Sequence, residues 1–387
     1  YLQNSKPMRL AVLCCLLTAF TLPALAQKSG GLNSRGARHV GFNVDGDTRV
    51  GQAKIFPQDS SYYYEDDWFV TPGYVPNALG RGRGVIDNSN AESLKAQLQA
   101  GGAAANISFT KRMSTPPYDI MFYTPPGSST TTPQFWVDAV YFRDYVGTDA
   151  TAFLTGAKNG SNPNTWNAGS TSVSAKTDII DAYCHVRTSG RNPFTDSVWF
   201  FGGVATRGIE GARYFDIEVY REPINVTNNR FVSEGTSYGH SHWSFDNQSN
   251  ITQTGDLVIS VAYANNGAPE IDFRIWLKKS TYDSIRAGRL VPKTFKLDGR
   301  WDAADDPNFG YAQITAPNET DIWGTGLGNY TGNSTSDSTF STPWGTINTS
   351  GNWSPTYDQL QFVEISLNFS RFGMNPFSYV TSFCKSP

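Results

Sequence analysis

Cysteine is scarce, with four in 387 residues. Cys14 and Cys15 sit in an apolar stretch near the N-terminus, which leaves Cys184 and Cys384 for the rest of the chain. So few thiols argue against a disulfide-dense scaffold, and no Cys-x-x-Cys is there to build a redox or zinc-ribbon centre. Charge is also low: 17% of residues, against about 25% in an ordinary domain. That composition does not fit a coiled coil or a highly charged disordered chain. The net charge is −3 and no basic stripe occurs, which argues against nucleic-acid binding. Long apolar runs are missing as well. The run Ala11–Leu22 falls short of the roughly 20 residues a spanning helix needs, so the chain is not expected to cross a membrane. A phosphate-binding Gly-rich loop, a nucleophile elbow and a His-Glu-x-x-His helix are all lacking. The stretch 201–208 (FGGVATRG) follows an apolar run but lacks the dinucleotide fingerprint. No cofactor is expected beyond a structural Ca²⁺, taken up below.

What is present begins with an export signal. Residues 1–7 precede Met8 and read as lying upstream of the start. Met8-Arg9, the apolar run and Ala24-Leu25-Ala26 form a secretory signal peptide cut near Ala26, so 1–26 is upstream sequence plus leader. Residues 27–38 are a polar, Gly-rich lead-in. In an oxidising compartment Cys184 and Cys384 are the one pair that could bridge, closing a loop of about 200 residues worth up to roughly 5 kcal/mol. The alternative is two thiols that never meet.

From 39 to 387 the sequence reads as strands. Thirty-six glycines and 21 prolines punctuate short β-rich runs. These are 39–44, 105–109, 120–123, 135–142, 179–186, 198–204, 214–220, 257–263, 271–277 and 362–368. The pattern predicts an all-β fold, a β-sandwich or jelly-roll-like architecture, either one large sandwich or two fused ones with a break near 150–175. In 214–220 (YFDIEVY), Phe215, Ile217 and Val219 would face the core, and Tyr214, Asp216, Glu218 and Tyr220 the other side. Likewise Phe273, Ile275 and Leu277 oppose Asp272, Arg274 and Trp276. Residues 90–100 (NAESLKAQLQA) predict one short surface helix, with Asn90 as N-cap and Gly101 as stop; 283–289 allows a second helical turn. Residues 324–354, rich in Gly, Thr, Ser and Asn, read as long turns or a poorly ordered excursion.

Candidate chemistry is sparse. Asp216 and Glu218 share one strand face, the residue pair that glycoside hydrolysis uses. The competing reading is a solvent-facing strand with its acids paired to Arg213 or Arg221. His240 and His242 form a His-x-His pair that, on a strand, would turn both imidazoles toward one metal ion. Acidic clusters at Glu65-Asp66-Asp67 and at Asp302, Asp305 and Asp306 are oxygen-rich loops of the kind that hold structural Ca²⁺, although neither has EF-hand spacing. Tyr63, Trp68 and Trp243 are candidates for stacking on sugar rings.

A series of segments carries a family resemblance. In order they are 66–69 (DDWF), 84–87 (GVID), 135–143 (FWVDAVYFR), 178–187 (DIIDAYCHVR), 198–203 (VWFFGG), 213–220 (RYFDIEVY), 239–246 (GHSHWSFD), 252–256 (TQTGD) and 271–276 (IDFRIW). Together they resemble the N-terminal region of large secreted or cell-surface proteins of Bacteroidota. Such proteins often continue into Ig-like or PKD-like repeats and a gliding-motility or type IX sorting domain. The resemblance implies a C-terminus truncated relative to those proteins, and it carries no activity or catalytic residue with it. The resulting expectation is a non-catalytic extracellular module of a secreted or cell-surface adhesin or matrix-type protein, with a glycan or a cell-surface protein as partner. The alternatives are a carbohydrate-binding module of a polysaccharide-utilising system and a glycoside hydrolase or lyase.

Overall fold

The computed structural model describes residues 32–33, 37–51, 65–75, 82–102, 105–113, 122–123, 134–135, 138–154, 160–189, 196–263, 269–318, 321, 323–330, 338–374 and 381–385. The expected leader, residues 1–26, and Tyr63 lie outside them. Strands dominate. We number the principal ones β1 (Phe109–Arg112), β2 (Asp138–Arg143), β3 (Ile179–Thr188), β4 (Val198–Thr206), β5 (Arg213–Tyr220) and β6 (Leu257–Tyr263). They continue as β7 (Pro269–Lys278), β8 (Lys296–Ala303), β9 (Phe309–Thr315), β10 (Gly324–Gly328), β11 (Phe362–Asn368) and β12 (Thr381–Lys385).

These strands build two packed sheets, an all-β sandwich. Sheet 1 runs Leu32–Asn33, β10, β11, β4, β3, β2, β1; sheet 2 runs β8, β9, β7, β6, β5, β12. Every pairing is antiparallel except that of Leu32–Asn33 with β10. The chain lays down β1 to β4, crosses to sheet 2 for β5 to β9, returns for β10 and β11, and crosses again to β12. β2 and β3, on either side of 150–175, pair with each other. Among the described residues no helix is long and apolar enough to cross a membrane.

The expected core face forms. Phe215, Ile217 and Val219 meet Phe273, Ile275 and Leu277, and sheet 1 adds Phe200, Val204, Val363, Ile365 and Leu367. Burying one Ile or Phe side chain in such a core is worth about 1.5–3 kcal/mol. The opposite faces depart from expectation. Sheet 1 is buried on both sides: Phe201 and Ala205, alternating with Phe200 and Val204, pack under Phe42, Trp68, Phe69, Trp344 and Tyr357. That is why β4 is apolar almost throughout, with no alternation to mark one face. Sheet 2 is covered over β5, β6, β7 and β9, while its edge strand β8 stays largely exposed. On its outer side Trp166, Ile224 and Phe231 pack on Tyr220, and Tyr238 packs on Trp276 and Tyr311. The face of β5 read from sequence as opposite the core is therefore mostly buried: Tyr214 is 54% exposed, but Asp216 is 4%, Glu218 1% and Tyr220 2%.

Residues 324–354 are corrected as well. β10 is buried in sheet 1, where the Gly324 Cα lies so close to β11 that a Cβ would sit 1.9 Å from the Ser366 carbonyl oxygen. Its glycines mark close strand approach rather than a loop. Short paired strands follow at Thr339–Phe340 with Thr356–Tyr357 and at Thr346–Ile347 with Trp353–Ser354. The expected surface helix is present as Ala91–Gln99, with Leu98 buried. Asn90 makes no side-chain cap; its Oδ1 instead accepts a hydrogen bond from Lys111. A second helix spans Lys279–Arg286, four residues earlier than the turn expected at 283.

Candidate functional site

Among the described residues, one group of three acidic side chains close enough to share a metal ion lies on the outer face of sheet 1. Ala37–His39 and Phe42–Val44 form a hairpin, and the chain then runs beside a second segment. Arg49–Val50 pairs parallel with Phe69–Val70, and the Asn43 amide donates to the Asp66 carbonyl at 2.8 Å. This pair of segments brings Asp45, Asp47 and Asp67 together, each at most 1% exposed. One oxygen of each is fixed by the backbone. Asp45 Oδ1 accepts from Asp47 N at 3.4 Å, Asp47 Oδ1 from Arg49 N at 2.8 Å and Asp67 Oδ1 from Trp68 N at 2.6 Å. The other oxygen of each, Oδ2, is buried and accepts no hydrogen bond. One ligand atom from each of the three lies within 4.8 Å of the others.

Glu364, in the middle of β11, ties the group to the sheet. Its Oε2 accepts the amides of Asp45 and Gly46 at 3.0 and 3.1 Å, and its Oε1 accepts the Trp68 indole N–H at 2.7 Å. Burial pushes the Asp45 carboxyl up to about 7. Burial and the neighbouring carboxylates push Asp47, Asp67 and Glu364 well above the usual carboxylate range. Arg49 draws Asp47 the other way; its guanidinium donates to the Ser341 and Thr342 carbonyls at 2.9 and 2.8 Å. An all-oxygen group of this kind suits a hard divalent cation. Sequence reasoning reached Asp67 through its acidic neighbours and missed Asp45, Asp47 and Glu364. The available signal was Asn43, Asp45 and Asp47 at alternate positions around Gly46, and a lone acid inside the apolar run FVEISLN.

A second buried polar group joins β2 and β3 to the 344–357 layer. Arg143 Nε lies 2.8 Å from Asp181 Oδ1, with the two side chains 1% and 0% exposed. Asp181 also accepts from Tyr141, from Thr346 Oγ1 at 2.8 Å and from the Tyr357 hydroxyl at 2.7 Å. Arg143 donates to the Gly345 carbonyl at 2.8 Å. This network is filled on every side and has no open position for a substrate.

The residues singled out in the sequence do not assemble a site. Asp216 accepts from Ser260, and Glu218 from the Tyr220 hydroxyl, under the covering layer of sheet 2. Arg213 turns inward to the Ile209 and Leu360 carbonyls and stacks on Tyr263. The His-x-His pair is not on a strand: Tyr238 and Gly239 have positive φ, and Ser237 bridges to His240. The alternation that would have aligned the two rings is therefore lost. His240 Nδ1 faces Asp256 and Nε2 faces the Ser161 carbonyl, both at 3.1 Å, while the ring stacks on Trp276. His242 Nδ1 bonds Ser237 Oγ at 2.6 Å instead. Asp302 is neutralised by Arg274 at 2.8 Å and Arg300 at 3.3 Å. Asp306 Oδ1 accepts from the backbone and side-chain nitrogens of Asn308, and Asp305 is exposed.

Trp68 and Trp243 are fully buried core residues and offer no ring to a sugar. The large exposed aromatics among the described residues are Tyr145 and Tyr214, which do not form a row. Cys184 is half-buried against the inter-sheet core. In register it neighbours Gly202, whose Cβ would lie 3.1 Å from Ile217 Cδ1 of sheet 2, and Ile217 is paired with Cys384. The two cysteines thus occupy matching register positions in the facing sheets. No known family model, curated protein or solved structure matches this chain.

Proposed function

We propose that the chain is a non-catalytic, extracellular β-sandwich module of a secreted or cell-surface adhesin or matrix-type protein. One observation carries the non-catalytic part. The acids and the histidine best suited to catalysis are buried and hydrogen-bonded, Asp216 and Glu218 beneath the layer covering sheet 2 and His240 within it. A catalytic carboxylate has to reach its substrate. The leader sequence supports the extracellular part.

The test is incubation of residues 27–387 with a glycan array and insoluble polysaccharides, followed by mass spectrometry of the supernatant. No new reducing ends are expected, with or without Asp216→Asn. Release of reducing ends that disappears in Asp216→Asn or Glu218→Gln would overturn the non-catalytic reading. Saturable retention without release would replace the adhesin reading with the carbohydrate-binding one.

Export also leads to an expectation for the cysteines. Placed at matching positions in facing sheets, Cys184 and Cys384 are expected to form an inter-sheet disulfide in the secreted protein. Alkylation of the denatured chain should label neither before reduction and both after it. Labelling of both without reduction would remove this bond from the account.

A further inference from the structure

Asp45, Asp47 and Asp67 each carry a buried Oδ2 that accepts no hydrogen bond, and the three side chains bring one carboxylate oxygen apiece to within 4.8 Å of one another. Each buried polar atom left in that state costs on the order of 1–3 kcal/mol, and more when charged. Native interiors rarely leave such atoms without a partner. We infer that Asp45, Asp47 and Asp67 bind a Ca²⁺ ion that fastens the 42–50 and 65–70 segments to β11.

The dimensions agree. Oxygens on opposite sides of a Ca²⁺ ion, each about 2.3–2.6 Å from it, stand roughly 4.6–5.2 Å apart. Three oxygens all within 4.8 Å of one another therefore fit a single coordination sphere. The chemistry selects among cations. The group contains no His or Cys, which disfavours zinc and the softer transition metals. Mg²⁺ keeps several of its waters, and three ligands at most 1% exposed leave little room for them. Asn43 brings a buried side-chain amide to the same alternating series, and main-chain carbonyls of the turn can complete the six to eight oxygens that Ca²⁺ takes.

The surroundings hold the ligands in place. The backbone bonds to the Oδ1 atoms of Asp45, Asp47 and Asp67 fix each carboxylate and leave its Oδ2 without a hydrogen bond. Glu364 is a positioning residue: both its oxygens are taken by Asp45 N, Gly46 N and Trp68 Nε1. One side chain on the sheet thus aligns both arms of the site, the part that outer-shell partners play in metal centres. The ligands come from two separate segments, so the unfolded chain has no such site and binding energy becomes folding energy.

The experiment uses residues 27–387 stripped with EDTA. Calorimetric titration with Ca²⁺ is expected to show one saturable site per chain. The thermal midpoint should rise by roughly 3–4 °C at a hundredfold excess over Kd. Hydrogen exchange should slow on Ca²⁺ addition chiefly in 42–50 and 65–70. Asp47→Asn, which keeps the shape and removes one charge, should weaken binding at least ~100-fold and lose the midpoint shift. Absence of binding heat together with an unmoved midpoint in the stripped parent would overturn the inference. So would binding that protects other segments only, or that persists in Asp47→Asn. If that variant fails to fold, titration and exchange on the parent still decide.

Discussion

Asp181→Asn is expected to lower the unfolding free energy by about 3–5 kcal/mol, the range for breaking one partner of a buried ion pair. The wild-type carboxylate accepts from Arg143, Tyr141, Thr346 and Tyr357 with no exposure to water. Burial alone would favour a neutral Arg143, but the charge of Asp181 outweighs it and holds the guanidinium more firmly protonated than an exposed arginine. An amide at 181 removes that compensation and turns an N–H₂ toward groups that are themselves donors. Because Thr346 and Tyr357 belong to the layer over sheet 1, the loss also loosens that layer. The measurement is the urea midpoint at unchanged slope. Asp302→Asn is the control: its partners Arg274 and Arg300 hold a carboxylate that is 27% exposed, and such pairs are worth about 0–1 kcal/mol. If the two variants lose similar amounts, the buried network is not the support described here.

Trp276→Ala should cost a similar amount, about 3–5 kcal/mol for a buried tryptophan. The indole is fully buried on the outer face of β7. It stacks on His240 at 4.0 Å between ring centroids and meets Tyr311 edge-on at 4.8 Å. Its Nε1 donates to the Ser237 carbonyl at 3.0 Å, in the turn that covers sheet 2. Truncation leaves a cavity and removes one of the two hydrogen bonds that the Ser237 carbonyl accepts, the other coming from His240 N at 3.3 Å. Trp276→Phe should recover most of the loss and keep a deficit of about 1 kcal/mol for the missing hydrogen bond. A loss below ~1 kcal/mol for the alanine variant would mean that this layer does not bear on sheet 2.

The inner layer of the fold was legible and the outer layers were not. Phe215, Ile217 and Val219 alternate with polar residues, and that period of two gives the strand and its core face directly. The same alternation suggested an open outer face, because Asp216, Glu218 and Trp276 are commonly exposed or interfacial residue types. Nothing local in the sequence announces that residues 160–166 and 224–243 return to cover them. Lys296–Ala303 was overlooked because its sequence, KLDGRWDA, shows little period-two pattern, and the structure indeed breaks its register between Leu297 and Trp301. Gly324–Gly328 was read as a turn because its glycines signal flexibility in isolation; here they permit close strand approach. The carboxylate site was hidden for another reason. Asp45, Asp47 and Asp67 are ordinary turn residues until the segments that carry them are laid side by side on Glu364, more than three hundred positions from Asp45 in the chain.

That separation bears on the order of assembly. β11 stands between β4 and β10 and receives both arms of the acidic group, so sheet 1 stays divided until Phe362–Asn368 has emerged. Contacts this remote in sequence make folding slow, since long loops must close before any pairing rewards them. A chain delivered N-terminus first would hold the β4 edge, with Phe200 and Val204 on it, without β11 for most of its passage. Such an apolar edge is what holding chaperones bind and what aggregation recruits. The module is therefore expected to reach its native state after release rather than during it, in one late closure around a single strand.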